Sequence, residues 1–555
     1  MGRRADETGP VRSVRRWVPG VVVVLFLVAA AACTDDDGAA GRPVVTEREP
    51  PPAASAGLPR LHAERGDRPG LFDAEGRQVV LRAMNLNSLA EYARNNPDLE
   101  PTRPLTGDDW DQIAAEGFNA VRLLVSWSRL EPDRGEIDAD YVDQVRQAVR
   151  DAANRGLYTV IDMHQDAWGP FVATPAGTPC PAGREPSTGW DGAPAWATPD
   201  PAEVDSCRPV DGEAKPGSEL VTEAWHRFYS DADGVQDRLV EVWATLAEAL
   251  ADEPSVAGYD LLNEPGHGRE GTAPPGLLAD FVALGDFYDR AIEAIRAAED
   301  DAGIDPRPIF FEPSVLGSPP PADFSTDPGL VYSPHVYGGS IVDILTVDQH
   351  WDLVAGQAAT FGTSLWVGEY GWFADPAAHP ELVGRVRRYA AREDGGASDS
   401  PGAGRAPFVP AGGAWWEWTN ACGDPHRVTD AGLVPQGEVW QYRLITCPDG
   451  QDHGVVSQWR EVLTRPYPRF APGWIGELTS DGAARQLSLT ATGADPGAAL
   501  ELWLPGEPEP RLGGRGLAAV TAVRSGLGWT VTAEICTSDY EVSLGGTAEE
   551  PPEEC

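Results

Sequence analysis

The 555-residue sequence contains little positive charge. It has 43 Lys and Arg against 86 Asp and Glu, which gives a formal net charge of −43, and Lys215 is its one lysine. A chain this acidic is repelled by polyanions, so we exclude nucleic acid as a partner and electrostatic adsorption to anionic lipid. The acidity suits a solvated extracellular protein, but it does not identify a substrate.

Sequence motifs for binding metal are missing as well. No two cysteines have CxxC spacing, and the sequence contains no HExxH. We therefore expect neither a metal nor another cofactor. Six of the seven cysteines follow one another as three local couples, and an even number in an exported chain is typical of disulfides. Pairing of nearest neighbours is the preferred connectivity among several for these candidates, which are Cys180, Cys207, Cys422, Cys447, Cys536 and Cys555.

The apolar run near the N-terminus is too short to span a membrane. It covers residues 18–32 and follows three arginines, Arg12, Arg15 and Arg16. A membrane helix needs about 20 apolar residues, whereas a signal peptide needs a shorter apolar run after positive charge. Residues 1–32 are therefore predicted to be a signal peptide.

The residues around Cys33 indicate a lipoprotein signal. Ala30, Ala31 and Ala32 directly precede this cysteine, and a threonine and three aspartates follow it. This arrangement resembles a bacterial lipobox and predicts lipidation of Cys33, with membrane association through that anchor at the outer face of the bacterial cell membrane. The alternative is ordinary secretion with Cys33 cleaved away. Residues 33–57 are rich in Pro, Ala, Gly and charge, which predicts a disordered tether.

From Leu58 onwards, short apolar runs alternate with amphipathic segments. The alternation predicts an α/β fold, namely a closed (β/α)8 TIM barrel over residues 58–464 with its functional groups at the C-terminal ends of the strands. Thr106 is a predicted helix N-cap. Long insertions at 165–220 and 420–455 interrupt the rhythm. The eight predicted strands are 79–84, 118–125, 158–163, 256–262, 309–311, 331–333, 364–368 and 413–416.

The last part of the chain has a different periodicity. Apolar residues alternate with polar ones at Leu487 and Leu489, and again at Trp529 and Val531. Alternation of this kind predicts a β-sandwich, which we assign to residues 465–555. A sandwich behind a barrel either packs against it for structural reasons, which we favour, or binds carbohydrate or lipid.

Two glutamates lie where predicted barrel strands end. Glu264 follows the fourth strand in Asn263-Glu264-Pro265, and Glu369 ends the seventh in Gly368-Glu369-Tyr370. A retaining glycosidase needs two carboxyl groups roughly 5 Å apart, one as acid/base and one as nucleophile. The pair therefore predicts a retaining glycosidase with Glu264 and Glu369 as catalytic residues.

Other polar side chains at strand ends are suited to support this pair. Arg122 lies within an apolar strand, where an unpaired charge would be very costly, so it is expected to keep a carboxylate ionised. Tyr337 is expected to donate its hydroxyl to the nucleophile. Asn263 is expected to bind a sugar hydroxyl, an interaction that strengthens in the transition state of glycosidases.

Two histidines and two tryptophans complete the predicted site. His164 and His335 both follow strands, and we expect them to orient sugar hydroxyls and the glutamates rather than to bind metal. Trp416 and Trp418 follow the eighth strand, and tryptophan faces stack on sugar rings. Strand alternation predicts that both tryptophans point the same way, into the cleft.

The order and spacing of these polar and aromatic residues resemble those of the glycoside hydrolases of clan A, family 5, over roughly residues 58–420. The residues that carry the resemblance are Arg122, Asn263-Glu264, His335, Tyr337, Glu369 and Trp416. That resemblance implies a retaining, metal-free barrel enzyme in which Glu264 is the acid/base and Glu369 the nucleophile.

Within this family, the sequence resembles the endoglycoceramidases most. The similarity is carried by the motif 162–166, the segment 192–196 and the junction 465–468. It implies hydrolysis of the bond between a glycan and ceramide, with Asp166 and Trp196 holding the sugar at the reducing end. The expected partner is a glycolipid or another β-linked oligosaccharide, and we expect a monomer.

One departure from the endoglycoceramidase pattern leaves the glycan range open. Some members carry a sugar-binding lysine after the first strand, but residues 85–92 contain none. A simpler glycolipid, such as a glucosyl or galactosyl lipid, is therefore an alternative substrate. Two further alternatives are a β-glucanase or mannanase acting on soluble polysaccharide, and a surface lipoprotein that binds glycans without cleaving them.

Overall fold

The structure is a computed structural model that describes residues 57–94, 98–210, 217–268, 276–341, 344–400, 408–429, 432–433 and 441–544. The predicted signal peptide, nearly all of the predicted tether, Cys33 and Cys555 lie outside these ranges. Within them, no helix is both long enough and apolar enough to cross a membrane.

Eight parallel strands close into a barrel, which confirms the predicted fold class. We number them β1 to β8 in chain order, and each pairs with its sequence neighbours while β8 closes the ring against β1. Their bounds are Leu81–Leu86, Ala120–Ser126, Tyr158–His164, Val256–Asp260, Ile309–Phe311, Leu330–Tyr332, Ser364–Tyr370 and Gly412–Trp415.

Helices connect most of the strands and cover the barrel. Thr106 caps the first of them, since its hydroxyl accepts from the backbone N–H of Asp109 and the Asp109 carboxylate accepts from the Thr106 N–H. The connection from β5 to β6, residues 312–329, is described throughout and contains no helix. The α-helices of the described chain are Gly107–Ala115, Trp127–Leu130, Ala139–Ala153, Glu219–Tyr229, Val235–Ala249, Gly276–Ala302, Val347–Phe361, Pro380–Glu393 and Ser457–Leu463.

The β-sandwich has two sheets, and the larger one includes strands from the beginning of the described chain. Its seven strands, in spatial order, are Leu61–Glu64, Gly70–Asp73, Arg77–Val79, Tyr467–Pro472, Ala499–Pro505, Gly528–Ile535 and Leu517–Ser525. The smaller sheet contains Trp474–Asp481, Gln486–Thr492, Tyr540–Leu544 and Gly513–Arg515.

The N-terminal strands explain why the first barrel strand begins later than predicted. Arg77–Val79 pairs antiparallel with Tyr467–Pro472 of the sandwich sheet, so β1 starts at Leu81 rather than at residue 79. Residues 61–79 thus share a sheet with residues after 465, whereas the sequence assigned them to the barrel. Periodicity describes each strand by itself and carries no information about such long-range pairing.

Buried ion pairs join the sandwich to the barrel near the start of β1. Arg82 of β1 lies 2.7 Å from Asp394, which also accepts from Arg465 at 3.2 Å, and all three side chains are buried. The Arg82 guanidinium sits 4.4 Å from the ring centre of Tyr467 in the sandwich. These contacts support a structural role for the sandwich, because they lie at the end of the barrel opposite the C-terminal strand ends.

Two disulfides pair nearest neighbours, as preferred from the sequence. Cys180 is bonded to Cys207 and Cys422 to Cys447. Each bond closes part of a long insertion, one after β3 and one after β8. The third predicted couple includes Cys555, which lies outside the described residues.

Candidate active site

The two predicted catalytic glutamates meet at the C-terminal end of the barrel. One carboxyl oxygen of Glu264, one of Glu369 and a ring nitrogen of His335 all lie within 4.8 Å of one another. Retaining glycosidases separate their carboxyl groups by roughly 5 Å, whereas inverting ones need roughly 6.5–9.5 Å to admit a water. Nearest oxygens within 4.8 Å of each other fit the shorter of these two separations.

Glu264 is held on a turn just past β4. Its φ of 38° lies in the left-handed region, and its backbone N–H donates to the Glu312 carboxylate at 2.8 Å. The Gln165 side-chain amide donates to the backbone carbonyls of Asn263 and Glu264, at 2.6 and 2.8 Å. These bonds fix the turn, so the Glu264 side chain projects from a supported backbone.

Glu369 receives two hydrogen bonds from side chains on other strands. Arg122 Nη1 donates to Oε1 at 3.0 Å, and the Tyr337 hydroxyl donates to Oε2 at 2.8 Å. A carboxylate that accepts from a guanidinium and a phenol is stabilised in its charged form. This is the environment that a nucleophile requires.

His335 lies among three carboxylates. Its Nδ1 is 2.8 Å from Glu264 Oε1 and 3.4 Å from Glu369 Oε2, and its Nε2 is 3.2 Å from Glu312 Oε1. Burial lowers the pKa of His335, but the charges of Glu312 and Glu369 raise it more, so its pKa lies well above the usual value. The surrounding carboxylates thus favour the positively charged form of the imidazole.

Arg122 is the centre of a buried charge cluster. Its side chain is fully buried and lies within 3.0 Å of four carboxylates, those of Asp162, Asp260, Glu312 and Glu369. Burial raises the pKa of Asp260 well above its usual value, and Arg122 offsets only part of this effect. Burial likewise raises the pKa of Glu312.

The carboxylates around Arg122 also have the spacing of a metal site. Oxygens of Asp162, Asp260 and Glu312 lie within 4.8 Å of one another. The Arg122 guanidinium already contacts all three carboxylates at 2.8–2.9 Å. Because it is planar and has several N–H donors, it can balance their charge by itself. We assign no metal to it.

His164 and Trp416 form one wall of the site. The two rings stack with centroids 5.7 Å apart and planes 15° apart. His164 Nδ1 lies 2.8 Å from Asp162. Burial lowers the pKa of His164, but Asp162 raises it more, to about 10. Trp416 packs with Leu124 and Tyr337 in a small apolar cluster beside Glu369.

Trp418 does not join that wall, and its predicted role in substrate binding is wrong. It is fully buried, its indole N–H donates to Asp109 at 3.1 Å, and its ring stacks on Tyr442 with centroids 5.7 Å apart. Strand β8 ends at Trp415, so the strand alternation that aligned Trp416 with Trp418 does not continue that far. Trp418 belongs to the packing between the barrel and its outer helices.

Trp196 lies on the insertion after β3. Its indole N–H donates to the Glu131 carbonyl at 3.0 Å, and its ring packs edge-on against Trp127 with centroids 5.4 Å apart. The described contacts of Trp196 are thus with the segment after β2, and none joins it to Glu264 or Glu369.

The structure adds residues that the sequence reasoning missed. Asn85 on β1 accepts from Arg122 at 3.1 Å. Glu312 directly follows β5, so the strand-end rule that selected Glu264 and Glu369 would also have selected it. Asp260 is the last residue of β4. His426 comes from the insertion after β8, where no periodic pattern marks it.

Comparison with known proteins agrees with this geometry. The family model of cellulases, glycosyl hydrolase family 5, matches residues 72–383. The chain belongs to glycosyl hydrolase family 5. Endoglycoceramidase I of Rhodococcus hoagii (strain 103S) is 30% identical over 291 residues, which cover 49% of this chain and 52% of that protein. Endoglycoceramidase of Hydra vulgaris is 29% identical over 224 residues, 37% of this chain and 40% of that protein.

Solved structures extend the similarity of this family 5 chain beyond the barrel. The crystal structure of an endogalactoceramidase is 40% identical, with a TM-score of 0.76, and the match covers 88% of this chain and 100% of that one. The structure of Endo-glycoceramidase II from Rhodococcus sp., as a lactosyl-enzyme intermediate, is 24% identical with a TM-score of 0.61. The match covers 86% of this chain and 100% of that one. At this identity, the similarity shows the fold alone. The chain spans about half the length of the curated relatives it matches.

Proposed function

We propose that the protein is a retaining β-glycosidase that hydrolyses the bond between the glycan and the ceramide, or a related lipid, of a glycolipid. The observation that carries this proposal is the separation of Glu264 and Glu369, whose nearest oxygens lie within 4.8 Å. The different surroundings of the two carboxyl groups support a different role for each.

Glu369 is the nucleophile in the proposed mechanism. Arg122 and Tyr337 donate to its carboxylate, and it attacks the anomeric carbon as the glycosidic bond breaks. Glu264 donates its proton to the departing oxygen of the lipid alcohol. A covalent glycosyl-enzyme intermediate remains, with its ester oxygen from Glu369.

Water completes the reaction in the second half. Glu264, now ionised, takes a proton from a water that attacks the anomeric carbon from the side the lipid has left. The bond to Glu369 breaks, and the glycan leaves with its β configuration retained. Glu264 is suited to contact both the lipid alcohol and the water, because its side chain is 15% exposed while that of Glu369 is 5% exposed.

Exposed apolar side chains after β5 and β6 support a lipid aglycone. Leu316, Ile341 and Ile344, on the segments that follow β5 and β6, are 55%, 62% and 88% exposed. The segment after β5 contacts the turn that carries Glu264, since the backbone N–H of Val315 donates to the carbonyl of Pro265 at 2.9 Å. Relatives named endoglycoceramidase and endogalactoceramidase point to the same substrate class.

A panel of substrates tests this function. Purified protein is incubated with fluorescent galactosyl-, glucosyl- and lactosylceramide and a ganglioside, beside soluble cello- and manno-oligosaccharides, and the products are separated by chromatography. We expect ceramide together with an intact glycan from at least one glycolipid. Cleavage of the soluble oligosaccharides alone would instead identify a glucanase or mannanase, the activity that the match to the cellulase family model favours.

We further propose that the mature protein is exported and anchored through a lipid on Cys33. The Ala-Ala-Ala-Cys sequence after a short apolar run supports this, and an anchor would hold the enzyme beside a lipid substrate. We expect the protein expressed in a bacterial host to enter the detergent phase of a Triton X-114 extraction and Cys33→Ala to remain in the aqueous phase. Equal partition of both forms would contradict the anchor.

A further inference from the structure

The insertion after β8 brings a histidine to the wall of the site. His426 Nδ1 lies 2.7 Å from Asp424 Oδ1, and its Nε2 lies 3.3 Å from Asp166 Oδ2. The Cys422–Cys447 disulfide closes the insertion only two residues before Asp424. Asp424 is itself held by the Asn87 amide, which donates to its other oxygen at 2.7 Å.

The same Asp166 oxygen also approaches His164. The distance from His164 Nε2 to Asp166 Oδ2 is 3.5 Å. Both histidine rings contact the indole of Trp416, His164 at 5.7 Å and His426 at 5.0 Å between ring centroids. His164, Asp166 and His426 therefore form a clamp on Trp416, a name we use below for these three residues.

The charges of the two histidines and of Asp166 favour the contacts within the clamp. Burial lowers the pKa of His426, but Asp424 raises it more, to about 10, as Asp162 does for His164. At neutral pH the clamp thus has two imidazolium rings on either side of one carboxylate. Positive rings close to an indole add cation–π attraction, which fixes the orientation of Trp416.

The position of His426 indicates what the clamp does. Asp166 is 1% exposed, whereas the His426 side chain is 11% exposed, so Asp166 lies behind the surface that a sugar can reach. Tyr92 and Trp190 pack edge-on against the His426 ring with centroids 5.8 and 4.7 Å away. The His426 ring is thus packed among Tyr92, Trp190 and Trp416.

We propose that His426 is a positioning residue for the sugar-binding wall, and that it acts by completing the clamp that orients Trp416. This inference rests on the proposed glycosidase function and assigns a role in it to the insertion after β8. The Trp416 indole is 2% exposed, so a sugar can contact only the small part of the ring that reaches the surface. Such a contact contributes equally to the ground state and the transition state, so loss of the clamp raises KM more than it lowers kcat.

Three substitutions at one position separate packing from charge. His426→Ala removes both, and His426→Phe keeps a ring against Trp416 but loses the polar contacts with Asp424 and Asp166. His426→Gln keeps a donor that reaches Asp166. The matched control is His453→Gln, because His453 is exposed on the Gln451–Val455 strand of the same insertion. Rates are measured with 4-methylumbelliferyl β-lactoside and β-galactoside, and thermal unfolding is followed for every variant.

We expect KM to rise about tenfold in His426→Ala and His426→Phe with kcat within about threefold. His426→Gln loses the charge and the ring but keeps a donor, so its KM should rise less than in His426→Ala, and His453→Gln should stay close to wild type. Unchanged KM in His426→Ala would overturn the inference. So would a fall of kcat and melting temperature together in all three His426 variants, because that pattern describes a residue needed only for folding. Failure of the wild-type protein to cleave either substrate or any glycolipid would instead contradict the proposed function.

Discussion

Glu369→Gln is expected to lower kcat at least about 10⁴-fold, which corresponds to about 5 kcal/mol of activation free energy. Glutamine has nearly the same shape as glutamate but cannot attack the anomeric carbon, so no glycosyl-enzyme intermediate forms. Glu264→Gln should lose about 10²–10⁴-fold, because proton donation is removed while the nucleophile remains. Steady-state rates on lactosylceramide measure both effects.

Azide distinguishes the two roles. In Glu264→Ala, assayed with an aryl lactoside whose leaving group needs no proton, azide attacks the glycosyl-enzyme intermediate without needing a general base, so it should restore turnover and give a β-glycosyl azide. In Glu369→Ala, azide occupies the place of the nucleophile and should give an α-glycosyl azide. Glu381→Gln, on the exposed start of the helix Pro380–Glu393, is the matched control and should keep the wild-type rate. Near wild-type rates in both glutamate variants, or azide products of the opposite configurations, would contradict the assignment.

Arg122→Met is expected to lower the free energy of unfolding by about 3–5 kcal/mol and to abolish activity. The substitution leaves Asp162, Asp260, Glu312 and Glu369 without the guanidinium that contacts all of them. Removing one partner of a buried ion pair is costly because the opposite charges stay buried. Thermal unfolding should show a fall in melting temperature of roughly 3–5 °C.

The loss of folding stability in Arg122→Met should depend on pH in one direction. Without Arg122, the buried carboxylates bind protons more tightly in the folded chain than in the unfolded one, so stability of the variant rises as pH falls. The difference in melting temperature from wild type should therefore be smaller at pH 5 than at pH 8. Arg515→Met is the control, since Arg515 forms an exposed ion pair with Glu541, and such pairs contribute about 0–1 kcal/mol. An Arg122→Met protein with wild-type stability at both pH values would refute the role of Arg122.

The meeting of Glu264 and Glu369 was predictable because strand ends follow from local patterns. Apolar runs locate the strands, and all strands of a barrel place their C-terminal ends on one face. Residues that directly follow a run, such as Glu264, His335 and Glu369, therefore converge without further information. Arg122 stood out for a different reason, since a charge inside an apolar strand must have a partner.

The remaining differences come from interactions that no local pattern encodes. His426 lies in an insertion without periodicity, and only the folded chain brings it to Asp166 and Trp416. Trp418 was misassigned because alternation was extended past the end of β8. Pairing of Arg77–Val79 with Tyr467–Pro472 joins residues far apart in sequence, so neither segment alone indicates it.

The anomeric configuration of the first product tests the central claim most directly. Lactosylceramide is hydrolysed in deuterated buffer with detergent, and proton NMR follows the anomeric signals of released lactose before mutarotation equilibrates them. Two carboxyl groups within 4.8 Å predict that β-lactose appears first and the α anomer only later. If α-lactose were formed first, or if glucose and galactose were released in place of lactose, the account of a retaining enzyme that cleaves between glycan and lipid would be wrong.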